Sequence, residues 1–411
     1  MKYFKKIYFL TWLIAIQFAS AFEWPLNFSE SYFQSNENIQ GDGIRFSCNT
    51  KQFSTIESGM DQYLASLKIP TSLIVKKIDN NKGTLLYTLN TPVDDTNTLN
   101  FKRRAAFQIH DDTVLLPTKS GKDKKILTVS KKEILLALLQ HGRLTSFNGD
   151  ACNIEALQDH VAIRQNMVAW AQTLNWIWPD GDHAEWNAKY WERGTPKPGV
   201  PIHAAFNDAF MNQNKYSIGC YTATKIVVAQ GLLDYYRRIK KSNEQFKLVE
   251  DRLMQDHDPL VHIEPARMWD FEKDFDPKEI NRAGKLVKII NDVKPNNFVP
   301  GDWSYFLNTD PLTYEKTGYE GSNSIYLGRN KFDDYYNDNN HSYSYFQKLD
   351  EVYQWRNGVF SRSRDFKKIK PLSKQDIVRL SAKPAQGGLL KSIRVAPFLF
   401  AFEQLPEMGN F

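Results

Sequence analysis

Apolar and polar positions along this chain change period several times, and each period predicts an element. Residues 44–48 alternate as a short strand does. Ser54-Thr-Ile-Glu57 has the spacing of a capping box that opens a helix running to about Leu67, before Pro70 stops it. Residues 71–78 and 84–89 flank Asn80-Asn81-Lys82-Gly83 and predict a hairpin. Further strands are predicted over 105–109, 113–116 and 126–129, and Ser130 with Glu133 caps a helix across the apolar run 134–139. In the second half, helical spacing returns over 161–176. It returns again after Lys215, where Ile226, Val227, Ala229, Leu232, Leu233 and Tyr236 form an amphipathic pattern closed by Arg237, Arg238, Lys240 and Lys241. A polar, helical stretch follows to about residue 293. Pro300-Gly301-Asp302 then turns into a strand over 303–307, with a second over 324–327 and a third expected in the apolar run 395–402.

Composition changes this picture at the N-terminus. Lys2, Lys5 and Lys6, an apolar run over 7–18 and Ala19-Ser-Ala21 read as a secretory signal, so the mature chain is expected to begin at Phe22, secreted or periplasmic. The apolar run is shorter than the ~20 residues a spanning helix needs, so no stable membrane anchor is expected. Loss of the three leader lysines lowers the formal charge from +6 to +3, and the remaining basic clusters are short and mixed with acids. They read as solvated faces, and no nucleic-acid partner is expected. At 42% hydrophobic and 24% charged, the 411 residues suffice for two or more folded domains.

Three cysteines in an exported chain suggest one disulfide with one free thiol, or no disulfide. Cys48 and Cys152 bracket the first part of the chain, and pairing them leaves Cys220 free. Cys220 starts the long helical pattern, where unpaired backbone N–H groups stabilise a thiolate; it is the candidate nucleophile, against the alternative of a buried structural cysteine. Asp182, His183 and Glu185 read as a polar turn, and His257 and His262 as surface histidines separated by Pro259. No phosphate loop or metal-ligand spacing is visible, and no cofactor or metal is expected.

The segments NKYSIGCYTATKIVV, NFVPGDWSYFLN and GYEGSNSIYLGRNKF resemble, in that order, the nucleophile helix and two core strands of bacterial spore-coat type protein-glutamine gamma-glutamyltransferases. IRQNMVAWAQTL and KYWERG upstream are similar to that family as well, so the resemblance spans roughly 161–365. The PGD-strand and IYLG elements also resemble NlpC-type cell-wall endopeptidases. The resemblance implies an α+β fold with a papain-like (NlpC-type) core over 151–366; the signal at 1–21 and a separate N-terminal α/β domain over 22–150 are departures from a short spore enzyme, and an extension over 367–411 follows.

It also implies that Cys220 is the nucleophile. The family's carboxylates are replaced, because Gly219 precedes the cysteine and Gly321-Ser322-Asn323 stands where the family has Gly-Glu-Asn. His341 is the first substitute for the base. Glu320 is the second, since it lies two residues before Ser322 and strand neighbours at that spacing share a face. The implied activity is an exported acyltransferase that takes glutamine side-chain amides of proteins or peptides through a Cys220 thioester and passes them to an amine donor. A hydrolase of peptide or cell-wall amides and a catalytically degenerate binding module are the alternatives.

Overall fold

The computed structural model describes residues 41–92, 101–179, 184–192, 194–254, 288–291, 298–310, 312–313, 316, 318–333, 335–337, 342–359, 366–382 and 386–395. The leader, Asp182, His183, His257, His262, His341 and the expected strand at 396–402 lie outside the described residues.

The chain begins with β1 (Gly43–Ser47), α1 (Phe53–Ser66) and the hairpin of β2 (Ile74–Asp79) and β3 (Thr84–Leu89). Then come α2 (Phe101–Ala106), β4 (Asp112–Leu116), β5 (Lys124–Thr128), α3 (Lys131–Leu138) and β6 (Leu144–Asn148). The first sheet has the order β2-β3-β1-β6, antiparallel except for the parallel pair β1 and β6, while β4 and β5 form their own two-stranded sheet. Asp79 closes the hairpin by accepting the N–H groups of Asn81 and Lys82. Ser130 caps α3 as expected, accepting from the Glu133 N–H. Two expectations are corrected. The helix α1 starts at Phe53 with no side-chain cap, so Ser54 lies inside it, and the strand expected over 105–109 is largely the end of α2 and a turn.

The central helix, α4 (Ile154–Ala171), starts seven residues before the sequence pattern does, because Asn153 caps it by accepting from the Ala156 N–H. After a short pair of strands, β7 (Trp191–Glu192) and β8 (Thr195–Pro196), come α5 (Ile202–Met211), α6 (Cys220–Asp234) and α7 (Asn243–Met254). The helix α6 is buried on all sides from Tyr221 to Asp234, so the amphipathic pattern is corrected to that of an enclosed core helix. It crosses α4 at Gly231, where a Cβ would lie 2.3 Å from Met167 Cγ; only a glycine lets the two backbones come this close. Asn166 fills the contact by donating to the Gly231 carbonyl.

The second sheet contains β9 (Lys288–Asn291), β10 (Trp303–Leu307), β11 (Gly321–Gly328), β12 (Lys331–Asp333), β13 (Ser342–Tyr343) and β14 (Leu390–Val395), in the order β13-β12-β11-β10-β14-β9. All its described pairings are antiparallel. β14 ends at Val395, where the apolar run of the expected C-terminal strand begins. On one face, Trp303, Ile325 and Leu327 join the core that holds α4 and α6. On the other, Phe298, Phe306, Tyr326 and Phe332 form an aromatic layer with Tyr345 of α8 (Tyr345–Trp355). A last helix, α9 (Lys374–Leu380), packs on α8. The α+β class is as expected, with a cysteine-bearing helix followed in the chain by antiparallel strands. Ile44, Phe46, Leu85, Tyr87 and Phe147 of the first sheet share one core with α4 and α6.

Two connections tie early and late segments together. Cys48 and Cys152, 104 residues apart, form a disulfide with a Cα separation of 6.0 Å, leaving Cys220 as the free thiol. On the chain-entropy account, closing a loop of that length stabilises by up to about 4.7 kcal/mol. The other connection is Asp302, fully buried in the turn before β10. Both its oxygens take hydrogen bonds from Arg143, one takes a third from Arg164 at 2.9 Å, and the other accepts the Val299 N–H at 2.8 Å. Burial pushes the Asp302 carboxyl up, but the two guanidiniums and these hydrogen bonds together hold it below its ordinary value. Arg164 also donates from Nε to His160 Nε2 at 2.9 Å, which requires a neutral imidazole there.

Burial, and then the charges of Arg164 and Arg143, hold the His160 pKa well below 6.5. The unfolded chain therefore takes up a proton below about pH 6.5 that the folded protein refuses. This part of the stability is present above that pH and lost as the pH falls. Urea unfolding at pH 7.5 and 5.5 should show the native chain losing about 1 kcal/mol more than His160→Gln over that interval. Equal losses in the two proteins would show that His160 carries no such linkage.

Candidate active site

The site forms where the start of α6 meets β11. Gly219 is the N-cap of α6 in an extended conformation and supplies no side-chain cap, so the first-turn amides around Cys220 lack one. The approach to the helix is fixed on both sides. Ser217 pairs with Glu185 and bridges to Ile177, and the Tyr336 hydroxyl donates to the Ile218 carbonyl at 3.0 Å. Inside the helix, Thr224 Oγ1 donates to the Cys220 carbonyl and shares a 2.9 Å hydrogen bond with the buried Tyr335 hydroxyl.

Cys220 is half-buried, with its sulfur against β11. The Asn323 backbone N–H donates to Sγ at 3.4 Å and its side-chain Nδ2 at 3.6 Å, while the thiol lies 3.8 Å from the Gly321 carbonyl that it can donate to. Asn323 is oriented by its neighbour strand. The Trp303 indole N–H donates to Asn323 Oδ1 at 2.8 Å, which turns the amide's own donors toward the sulfur. Gly321 is needed for the same packing, since a Cβ there would lie 2.4 Å from the Tyr305 ring.

Successive side chains of a strand face opposite ways, and β11 follows that rule. Gly321, Asn323 and Ile325 face α6. Ser322, Ser324 and Tyr326 face the aromatic layer and α8. Ser322 was expected to line the cysteine cleft; it instead accepts a 3.0 Å hydrogen bond from Lys348 on the far side of the sheet. Asn323, one residue on, is the side chain that meets the sulfur. Neither Asn323 nor Trp303 had been singled out, although alternation counted from Gly321 identifies the first, and the Trp303–Ile325 and Tyr305–Asn323 register identifies the second.

Because Ser322 faces away from the sulfur, the shared strand face that pointed Glu320 toward the cleft does not hold; Glu320 lies just before β11 begins, and its Oε1 accepts the Gly318 N–H at 3.1 Å. Burial pushes its carboxyl up, against hydrogen bonds from backbone N–H groups that pull it down. Its charge acts on the nucleophile as well. The Cys220 thiol is raised above its ordinary value, first by burial and in smaller part by Glu320; the two Asn323 hydrogen bonds and the charge of Lys348 oppose the rise. A helix N-terminus was expected to ease the thiol toward neutrality, but desolvation outweighs it here. His341, outside the described residues, is not placed relative to the sulfur.

The model of the protein-glutamine gamma-glutamyltransferase family matches residues 108–340, a span that contains Cys220, Glu320 and Asn323. A solved transglutaminase from Geobacillus stearothermophilus, without its C-terminal extension, is similar over 61% of this chain and 98% of its own, at 20% identity and a TM-score of 0.36. Comparison with curated proteins gives no match.

The Asn323 side chain contributes one of two donors to the sulfur, and a hydrogen bond of this kind is worth about 1 kcal/mol. Asn323→Leu should therefore slow iodoacetamide alkylation of Cys220 about fivefold at pH 7. The rates should converge once the pH exceeds the thiol pKa in both proteins. A variant equal to the native chain across the whole profile would remove Asn323 from the site.

Proposed function

The chain belongs to the protein-glutamine gamma-glutamyltransferase family, and from that premise we propose that Cys220 is the nucleophile of a glutamine acyl transfer with Glu320 as its base. The observation that carries the reading is the free Cys220 thiol at the start of α6, facing two N–H donors of Asn323. The raised Glu320 carboxyl supports its role, because a base poised nearer neutrality both takes and returns a proton readily. Family members act on protein glutamine, and a protein or peptide carrying that side chain is the proposed substrate.

In the proposed reaction, Cys220 Sγ attacks the carboxamide carbon as its proton passes to Glu320. The oxyanion is held by N–H groups of the first turn of α6. The C–N bond breaks, Glu320 returns the proton to the leaving nitrogen, and ammonia departs from a Cys220 thioester. An amine then attacks the same carbon, Glu320 takes its proton, and the C–S bond breaks to release the product amide and restore the thiol. Water in place of the amine gives hydrolysis instead.

Export is proposed from the leader sequence, and the Cys48–Cys152 disulfide supports it, since such bonds persist in oxidising compartments. Among the described residues, no helix is long and apolar enough to cross a membrane. N-terminal sequencing of exported protein should read FEWPLN; a retained Met1 would overturn the leader assignment.

Incubation with a glutamine-bearing protein and a labelled primary amine should give incorporation and release ammonia. Cys220→Ala should abolish both while changing stability by only about 1 kcal/mol, because a methyl group replaces a small thiol. Glu320→Gln should slow incorporation on the order of a hundredfold. Undiminished turnover in Glu320→Gln, with loss in His341→Ala, would move the base to His341. Ammonia without amine incorporation would make the protein an amidase, and neither product from the native chain would leave a binding module.

A further inference from the structure

On the face of β11 opposite the cysteine, one polar cluster interrupts the aromatic layer. Lys348 of α8 is 1% exposed, and Glu351 and Ser322 beside it are also buried. The Lys348 ammonium donates to Ser322 Oγ at 3.0 Å and to Glu351 Oε2 at 2.9 Å, and lies 4.5 Å from the centre of the Tyr343 ring. A buried lysine is costly even when paired, and an apolar side chain would fill this layer at least as well. Its position relative to the sulfur gives it a use. The peptide unit joining Ser322 to Asn323 carries the very N–H that donates to Cys220 Sγ. Lys348 therefore pins one end of that unit while the sulfur receives from the other.

We propose that Lys348, clamped by Ser322 and Glu351 behind β11, is a positioning residue for Cys220. It holds the Ser322–Asn323 peptide N–H on the sulfur and places a buried positive charge behind the strand. The inference rests on Cys220 being the reacting group of the transfer proposed above. Two effects follow from the charges around the thiol. The charge of Lys348 opposes the upward push that burial, foremost, and Glu320 exert on Cys220, and the paired carboxylate of Glu351 partly cancels that help. Tyr335, whose hydroxyl bonds to Thr224 on the cysteine side, stays protonated, since burial, foremost, raises it well above its ordinary value.

This arrangement predicts opposite signs for two neighbouring substitutions. The readout is the pH profile of Cys220 alkylation in the full chain, where Cys220 is the free thiol. Lys348→Met should move the profile to higher pH, making alkylation at pH 7 slower by roughly threefold while leaving the high-pH plateau unchanged. Glu351→Gln removes one negative charge from beside the ammonium and should move the profile to lower pH, with a comparable gain in rate at pH 7. Lys348→Arg, which keeps the charge and the donors, should restore most of the native profile. A purely structural cluster would shift both single variants in the same direction or lower the plateau in both, and either result overturns the proposal, as does an unmoved profile. Should Lys348→Met fail to fold, Glu351→Gln decides by its sign. Amine incorporation measured on the native chain is read separately: its absence with the opposed shifts intact would reject the transferase while keeping Lys348 in its place.

Discussion

One buried carboxylate holds the architecture and the site in register. Asp302 is held in its charged form by two guanidiniums, and each comes from a different part of the chain. Arg143 leads into β6 of the first sheet, Arg164 lies in the central helix α4, and Asp302 leads directly into β10 of the second sheet. Removing one partner from a buried pair leaves an uncompensated charge, typically a loss of 3–5 kcal/mol. The residue after Asp302 is Trp303, which orients Asn323, which meets Cys220. The sulfur's hydrogen-bonding environment is thus set by a chain of contacts that starts at this ion cluster.

The site itself balances opposed demands. Packing Cys220 against β11 removes water, which favours the protonated thiol and at the same time strengthens every dipole aimed at the sulfur. Two Asn323 donors and a lysine behind the strand favour the thiolate, while Glu320 disfavours it and is itself raised. The thiol and the Glu320 carboxyl are thus both pushed up, in each case foremost by burial.

Much of the fold was legible because local chemistry decided it. The hairpin over 74–89, the Ser130 cap and the strand after Pro300-Gly301-Asp302 all follow from residues adjacent in sequence. What could not be read depended on distant partners. The helix α6 looked amphipathic because Thr222, Thr224, Lys225 and Gln230 are polar, yet each is buried against another element. The Cys220 position was recoverable from its place before a helical run, whereas the direction of Ser322 was not. A strand's two faces are assigned only once it is known which helix covers which side, and β11 is covered on both. Asn323 and Lys348 owe their roles to that sandwich: Asn323 was visible only as part of the Gly-Ser-Asn stretch, and Lys348 carries no motif.

The Cys48–Cys152 bond joins two points that are also neighbours through β1 and β6, paired in parallel. Tension applied to the chain from outside this loop would pass from Cys48 to Cys152 through the covalent bridge, leaving residues 49–151 slack. The load would fall on α4 and on the antiparallel sheet that carries the cysteine site. A backbone nick within this loop would likewise free no fragment, because the severed ends stay joined through sulfur. The segment between the two cysteines, from α1 to β6, is in this sense a sheltered loop hung on a mechanically continuous chain, and its surface can vary or be cut without parting the molecule.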